Sequence, residues 1–410
     1  PVAPALDSPL PAKPPTAAPT QAPIISVPPD VTARQLRIVE SLWETVDANY
    51  IYPDFNGLNW DETRVQMRTR IEQGMADEAF HAYVAESIES LNDNHSFYLS
   101  PSEAREEDEQ YNGTYEYAGV GIITGANRDK GYIYVLQVLD NSPAQAAGIR
   151  PHDHILSIDG AAAFDERGES QSGRFRGAIG SQVTTVIRTP GKDPREVVLT
   201  RSKINARERV EYKLLQNGTK RIGYILIPTL MEDDIDERVR NALRMLTSAT
   251  RLDGLIIDLR INSGGALDVL QPTLGFFTKG DVGRLVNRRG ARLTIRARAE
   301  NIGNSQTIPL AVLIGGSTES YAEVLAGALQ AKGRAKLIGR NSAGNIETLR
   351  AREFEDGSRL WLAEEGFRLM DGQSWEGSGL KPDIVVPQSW DEHTDENDPA
   401  IAIAVQALIE

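Results

Sequence analysis

From Arg221 onward the chain alternates short, almost wholly apolar runs with amphipathic stretches, and this alternation restricts the fold more than any other feature. Tyr224-Ile225-Leu226-Ile227, Leu255-Ile256-Ile257-Asp258-Leu259 and Leu310-Ala311-Val312-Leu313-Ile314 lack the polar alternate positions of a strand with one wet face. Such strands must be covered on both sides, as in a mainly parallel sheet flanked by helices. The intervening segments supply the helices. Ile235, Val239, Leu243 and Leu246 fall in helical step within 234–249, and a second helix over Tyr321–Lys332 is closed by Gly333. The expectation for this half is an α/β layer architecture.

The residues before it follow other periods. Leu36, Val39, Leu42, Trp43 and Val46 predict a helix over 32–50, and Phe80, Val84, Ile88 and Leu91 another over 77–91. Between Tyr115 and Lys203 the chain reads as short strands broken by turns: 131–136, 154–158 ended by Asp159-Gly160, 183–188, and 195–201 after Pro190-Gly191. Two small helical pieces are expected there, near 144–147 and 170–178. Residues 1–30 are rich in Pro and Ala, with too few large apolar groups to offset ordering entropy, and read as a disordered stalk or linker. The whole is a multi-domain α+β chain: linker 1–30, helical region 31–110, β-rich module 111–203, α/β domain 204–395 and a C-terminal helix 396–410.

Composition removes several functions. The formal charge of −14 disfavours nucleic acids and anionic membrane surfaces, both of which need basic patches. The absence of cysteine excludes disulfides, thiolate metal sites and a cysteine nucleophile. No apolar run is long enough to span a bilayer, so any signal peptide or anchor is expected upstream of Pro1. No histidine pair has HxxxH spacing, and His152 with His154 is not a metal site, so no metal and no organic cofactor are expected. Oligomeric state is not readable.

Three motifs carry chemistry. The Leu310–Ile314 run is followed by Gly315-Gly316-Ser317-Thr318-Glu319-Ser320 and then by a helix. A serine there sits beside unpaired amides and the positive end of a helix dipole, as an acyl-transfer nucleophile requires; the plain alternative is that Ser320 caps the helix. Asp258-Leu259-Arg260-Ile261-Asn262-Ser263-Gly264-Gly265 follows a buried strand, where glycine amides can approach a ligand, or where the chain simply turns. Tyr117-Ala118-Gly119-Val120-Gly121-Ile122 has the form of a loop whose amides hold a peptide carboxylate while the peptide adds as a strand.

Asn141-Ser142-Pro143-Ala144-Gln145-Ala146-Ala147-Gly148-Ile149 and Asp153-His154-Ile155-Leu156-Ser157-Ile158-Asp159-Gly160 resemble the PDZ domains of exported bacterial proteases. With Ser317–Gln330 and Glu376-Gly377-Ser378-Gly379-Leu380-Lys381-Pro382-Asp383, the chain after the linker resembles the S41 peptidases, the C-terminal-processing proteases. The resemblance implies a crotonase-like ββα catalytic core, an inserted PDZ domain, an N-terminal helical region, and Ser320 rather than Ser317 as nucleophile. It implies serine endopeptidase activity on protein substrates with free C-termini, held by Ala118, Gly119, Val120 and Gly121, in an extracytoplasmic location. Gly264, Gly265 and Tyr321 are the implied oxyanion donors.

One position departs from the better-known branch. Where that branch carries a lysine base, this chain has Asn345, and Leu349 replaces a usual glutamine. The other branch, similar to the tricorn protease core, uses a histidine from before the main domain together with a distant glutamate. That pattern implies His95 as base, Glu376 as its support, and Asn94 or Ser96 in the relay place. The alternatives are a catalytically inactive S41-like peptide binder and, on the crotonase-like fold alone, acyl-CoA chemistry.

Overall fold

A computed structural model describes residues 27–93, 95–248 and 251–409. Most of the expected Pro/Ala linker, and Asn94, lie outside the described residues. The chain divides into two compact units. The first takes in the chain up to Asp108 with Asp281–Arg296 and Gly344–Gly379; the second comprises Glu109–Gly280, Ala297–Ala343 and Leu380–Glu410.

In the first unit, helices Pro29–Asn49, Trp60–Glu72 and Asp77–Glu89 bury the faces that their periodicity marks. Ile38, Leu42 and Val46 meet Met67, Ile71, Phe80, Val84 and Ile88 in one core, closed by Leu360 and Leu362. Truncating a side chain such as Leu42 or Phe80 to alanine costs about 2–5 kcal/mol. The first helix begins at Pro29, ahead of the expected start at residue 32. Pro29 has the φ of a first helical residue preset, and Asp30 complements the helix dipole. The sheet of this unit was not foreseen. Arg359–Leu369 is its long central strand, flanked by Glu347–Glu353 on one side and by Phe97–Leu99 and Gly280–Asn287 on the other, with Gly290–Ala297 beyond.

The second unit contains the expected α/β sheet, in the order Glu211–Asn217, Lys220–Leu226, Gly254–Asp258, Leu310–Ile314, Lys336–Gly339, Ile384–Val385. The first pair is antiparallel and the others are parallel. Helix Pro399–Ile409 covers one face through Ile401 and Ala404. An ion network ties it to the strand end. Arg260 is 2.6 Å from Asp258 and 2.7 Å from Asp398, all three buried, and the Tyr224 hydroxyl donates to Asp258 at 2.8 Å. Removing one member would leave a buried charge unpaired, at about 3–5 kcal/mol.

The β-rich module in this unit is a sheet of strands Ile122–Asn127, Tyr132–Val138, His154–Ile158, Gln182–Arg188 and Arg195–Thr200, with Ala161–Ala162 at its edge and a separate pair, Glu116–Gly119 with Ser202–Asn205. The helix expected over 170–178 is only a 3-10 turn, Ser172–Phe175, because Gly173 and Gly177 interrupt it. His152 and His154 dock this module on the C-terminal segment. The His152 ring stacks on Trp390 at 3.7 Å, with Nδ1 2.9 Å from the Trp390 carbonyl and Nε2 3.1 Å from Asp395. His154 Nε2 donates to the Asp391 carbonyl at 2.7 Å.

Candidate active site

The nucleophile turn belongs to the second unit. Ser320 occupies the cap position of helix Tyr321–Ala331 but makes no capping hydrogen bond, and its backbone sits at φ 52°, ψ −127°. A side chain at positive φ is strained, by roughly 1–3 kcal/mol, and such strain clusters at functional sites. Neighbouring groups hold the turn in place. Thr318 Oγ1 donates to the Leu259 carbonyl at 2.8 Å and accepts from Gly315 N–H at 3.0 Å. Glu319 N–H donates to the Asn262 carbonyl at 3.0 Å. Ser317, the rival serine, hydrogen-bonds the Tyr134 phenol. Inside the helix, Glu323 is fully buried and accepts from Ser342 Oγ at 2.5 Å.

Gly264 explains itself by contact. A Cβ there would lie 2.7 Å from Ser320 Cβ, and its φ is +95°. Its amide, however, donates to Asn262 Oδ1 at 2.8 Å, so in this conformation it is not free for an oxyanion. Gly265 N–H has no hydrogen-bond partner among the described residues. Of the two glycines named from sequence, Gly265 is the one whose amide is left without a partner.

In the β-rich module, Val120 lines a groove of about 500 Å³ together with Tyr117, Ile122, Thr124, Phe175 and Arg176, while Ala118 and Gly119 end the strand Glu116–Gly119 rather than forming a loop. Gly121 has φ +80°, and a Cβ on it would strike Ser142 at 2.2 Å. The Gly121 backbone hydrogen-bonds the Tyr117 phenol, and Arg176 lies over that ring at 4.9 Å. Burial raises the Tyr117 pKa, which keeps the phenol neutral.

His95 and Glu376 belong to the first unit, and the structure brings them together. His95 Nε2 is 3.4 Å from Glu376 Oε1 and equally 3.4 Å from Glu347 Oε2. Asp93 presents the histidine by accepting from the His95 and Ser96 amides at 3.0 and 2.6 Å. Ser96 is committed elsewhere: its hydroxyl donates to Asp93 at 2.8 Å and accepts from Ala363 N–H at 3.0 Å, so it does not occupy a relay position. The residue that sequence reasoning missed is Glu347. It is 4% exposed, and Tyr52 donates its hydroxyl to Oε1. No local pattern marks a lone acid at the start of the Glu347–Glu353 strand.

Charge crowding sets the protonation here. Burial pulls the His95 pKa down, Glu376 and Glu347 push it up, and the net shift is upward. Burial raises Glu347 to about 7, against the pull of His95. An imidazole between two acids can hold or release a proton near neutrality.

The descriptions of Peptidase family S41 and of the PDZ domain match residues 221–386 and 118–197. A carboxyl-terminal-processing protease of Picosynechococcus sp. is 30% identical over 348 residues, which cover 84% of this chain and 82% of that one. The chain is a member of peptidase family S41. A second carboxyl-terminal-processing protease, from Synechocystis sp., is 28% identical over 364 residues, covering 87% of this chain and 82% of the relative. The solved photosystem II D1 C-terminal processing protease shares the fold, with a TM-score of 0.60 and 24% identity over 86% of this chain and 93% of that one. This S41 peptidase is thus a serine-type hydrolase of the carboxyl-terminal-processing kind, with a PDZ domain and protein substrates. Among the described residues no helix is long and apolar enough to cross a membrane.

Proposed function

We propose that Ser320 is the nucleophile of this peptidase, with His95 as general base and then general acid, and Glu376 as the carboxylate that orients the imidazole. Ser320 attacks the scissile carbonyl, and its proton passes to His95. The tetrahedral oxyanion accepts hydrogen bonds from Gly265 N–H and from the Tyr321 amide at the helix N-terminus. The imidazolium protonates the leaving amine, and water activated by the neutral imidazole hydrolyses the acyl-enzyme. The Ala118–Gly121 segment receives the free C-terminus of the protein substrate, which adds as a strand in the adjoining groove. The Pro/Ala-rich composition of residues 1–30 suits a stalk and supports an extracytoplasmic location.

The observation that carries this reading is the uncapped, positive-φ conformation of Ser320, which a mere helix cap would not need. Two experiments test it. A fluorophosphonate probe is expected to label the wild type and Ser317→Ala but not Ser320→Ala. Labelling that survives in Ser320→Ala moves the nucleophile, and a chain that neither labels nor cleaves returns to the peptide-binder reading. Amidating the C-terminus of a substrate peptide is expected to weaken its binding about tenfold or more, because the segment loses its charge-assisted bonds. Equal binding removes the carboxylate role of Ala118–Gly121.

A further inference from the structure

We propose that His95, Glu347 and Glu376 form a binding site for a divalent cation of the Zn²⁺ class, and that occupancy withdraws His95 from catalysis. The second half rests on the base assignment above; the first half does not. Three donor atoms, His95 Nε2, Glu347 Oε2 and Glu376 Oε1, lie within 4.8 Å of one another. All three are buried and none has a hydrogen-bond partner. Nε2 stands equally 3.4 Å from the two carboxylates and makes a short hydrogen bond with neither. Unsatisfied buried donors and acceptors normally cost about 1–3 kcal/mol each, so three converging on one point require something at that point.

The spacing and the supports fit a metal. Zn–N and Zn–O bonds of about 2.0–2.2 Å in a tetrahedron place neighbouring donors about 3.3–3.5 Å apart, which is the separation between Nε2 and each carboxylate oxygen. Each carboxylate has its other oxygen anchored. Tyr52 donates its hydroxyl to Glu347 Oε1, and Ile346 N–H donates to Glu376 Oε2 at 2.8 Å. Outer hydrogen bonds of this kind aim ligands in metal sites. His95 is 7% exposed and Glu347 4%, while the Glu376 side chain is 22% exposed, so the cluster lies nearest to solvent at Glu376. One imidazole and two carboxylates suit Zn²⁺, Co²⁺ or Mn²⁺ better than Ca²⁺, which takes six or more oxygens. A neutral imidazole bound to a metal through Nε2 keeps its proton on Nδ1, so neither ring nitrogen of a loaded His95 can accept the proton of a serine.

The test uses chelator-treated full-length protein and Zn²⁺ or Co²⁺ alone. Equilibrium dialysis is expected to show about one Zn²⁺ per chain, with equal affinity in Ser320→Ala, which has no nucleophile to lose. Co²⁺ is expected to give the visible absorption of a four-coordinate site. His95→Ala and the isosteric Glu347→Gln should each weaken binding by at least about tenfold, and Tyr52→Phe by about 10–100-fold. His152→Ala, whose ring packs elsewhere, should leave it unchanged. Peptidase activity should fall in step with Zn²⁺ occupancy and return on chelation. No stoichiometric binding, or binding that both His95→Ala and Glu347→Gln retain, overturns the site. Binding that requires these residues yet leaves activity intact keeps the site and overturns His95 as base.

Discussion

The two halves of the proposed catalytic apparatus are built on opposite principles. The Ser320 turn is organised by backbone: a positive-φ residue, a glycine with no room for a Cβ, and amides and carbonyls tied between Thr318, Leu259 and Asn262. The His95 cluster is organised by side chains that come from three distant points of the chain and leave three polar atoms unmatched. The first kind of site is held by groups that do not titrate, the backbone and the Thr318 hydroxyl. The second changes its charge near neutrality and answers to protons and cations. The comparison assigns position to one half and regulation to the other.

The sharpest way to break it is His95→Gln. Removing a general base costs on the order of 10²–10⁴ in kcat, while the Ser320 turn, lying in another unit, should keep its folding and stability. A loss below about tenfold would mean that the cluster is not catalytic. Next comes Gly264→Ala. The added Cβ would sit 2.7 Å from Ser320 Cβ at a φ that disfavours it, so kcat should fall about 10²-fold through misplacement, with a stability loss of about 1–3 kcal/mol. Unchanged kinetics would show that the turn is less constrained than its backbone implies.

A smaller effect separates the halves by pH. His95 must be neutral to accept a proton, and its pKa is raised, so kcat/KM of the metal-free enzyme should rise along a limb centred above about 6.5 and fall in acid. Glu376→Gln and Glu347→Gln each remove a charge that favours the imidazolium, so the limb should move to lower pH in both. A limb that stays put would detach His95 from the rate. The smallest effect is on stability alone. Glycine tolerates φ 52°, so Ser320→Gly should be about 1 kcal/mol more stable to denaturant than Ser320→Ala, though both are inactive. Equal stabilities would deny strain at the nucleophile.

The same contrast explains what could be read from sequence. Leu310–Ile314 followed by Gly315–Ser320 announces a strand, a turn and a helix because each residue's preference agrees with its neighbours. The strand, the turn through Ser320 and the helix were legible for that reason. The Arg359–Leu369 strand and its partners were not. Their charged, half-exposed positions in Arg284–Arg298 and Arg350–Glu365 dilute the apolar signal, and pairing between distant segments leaves no local mark. Glu347 was missed with them, since its role comes from the register of that sheet. His95 and Glu376 were reached through family resemblance, not through spacing. Ser96 was offered as a relay, and its side chain instead buttresses the Asp93 turn.

The first unit draws on three separate stretches of chain, the last ending at Gly379. The second unit, which holds the Ser320 turn, draws also on Leu380–Glu410, and domains generally fold as units once their residues are present, so neither unit is completed in synthesis before these late stretches appear. Under the proposed assignment, hydrolytic competence is therefore deferred until both of these stretches have been delivered. A protease ordered in this way is spared from cutting while it is still half made.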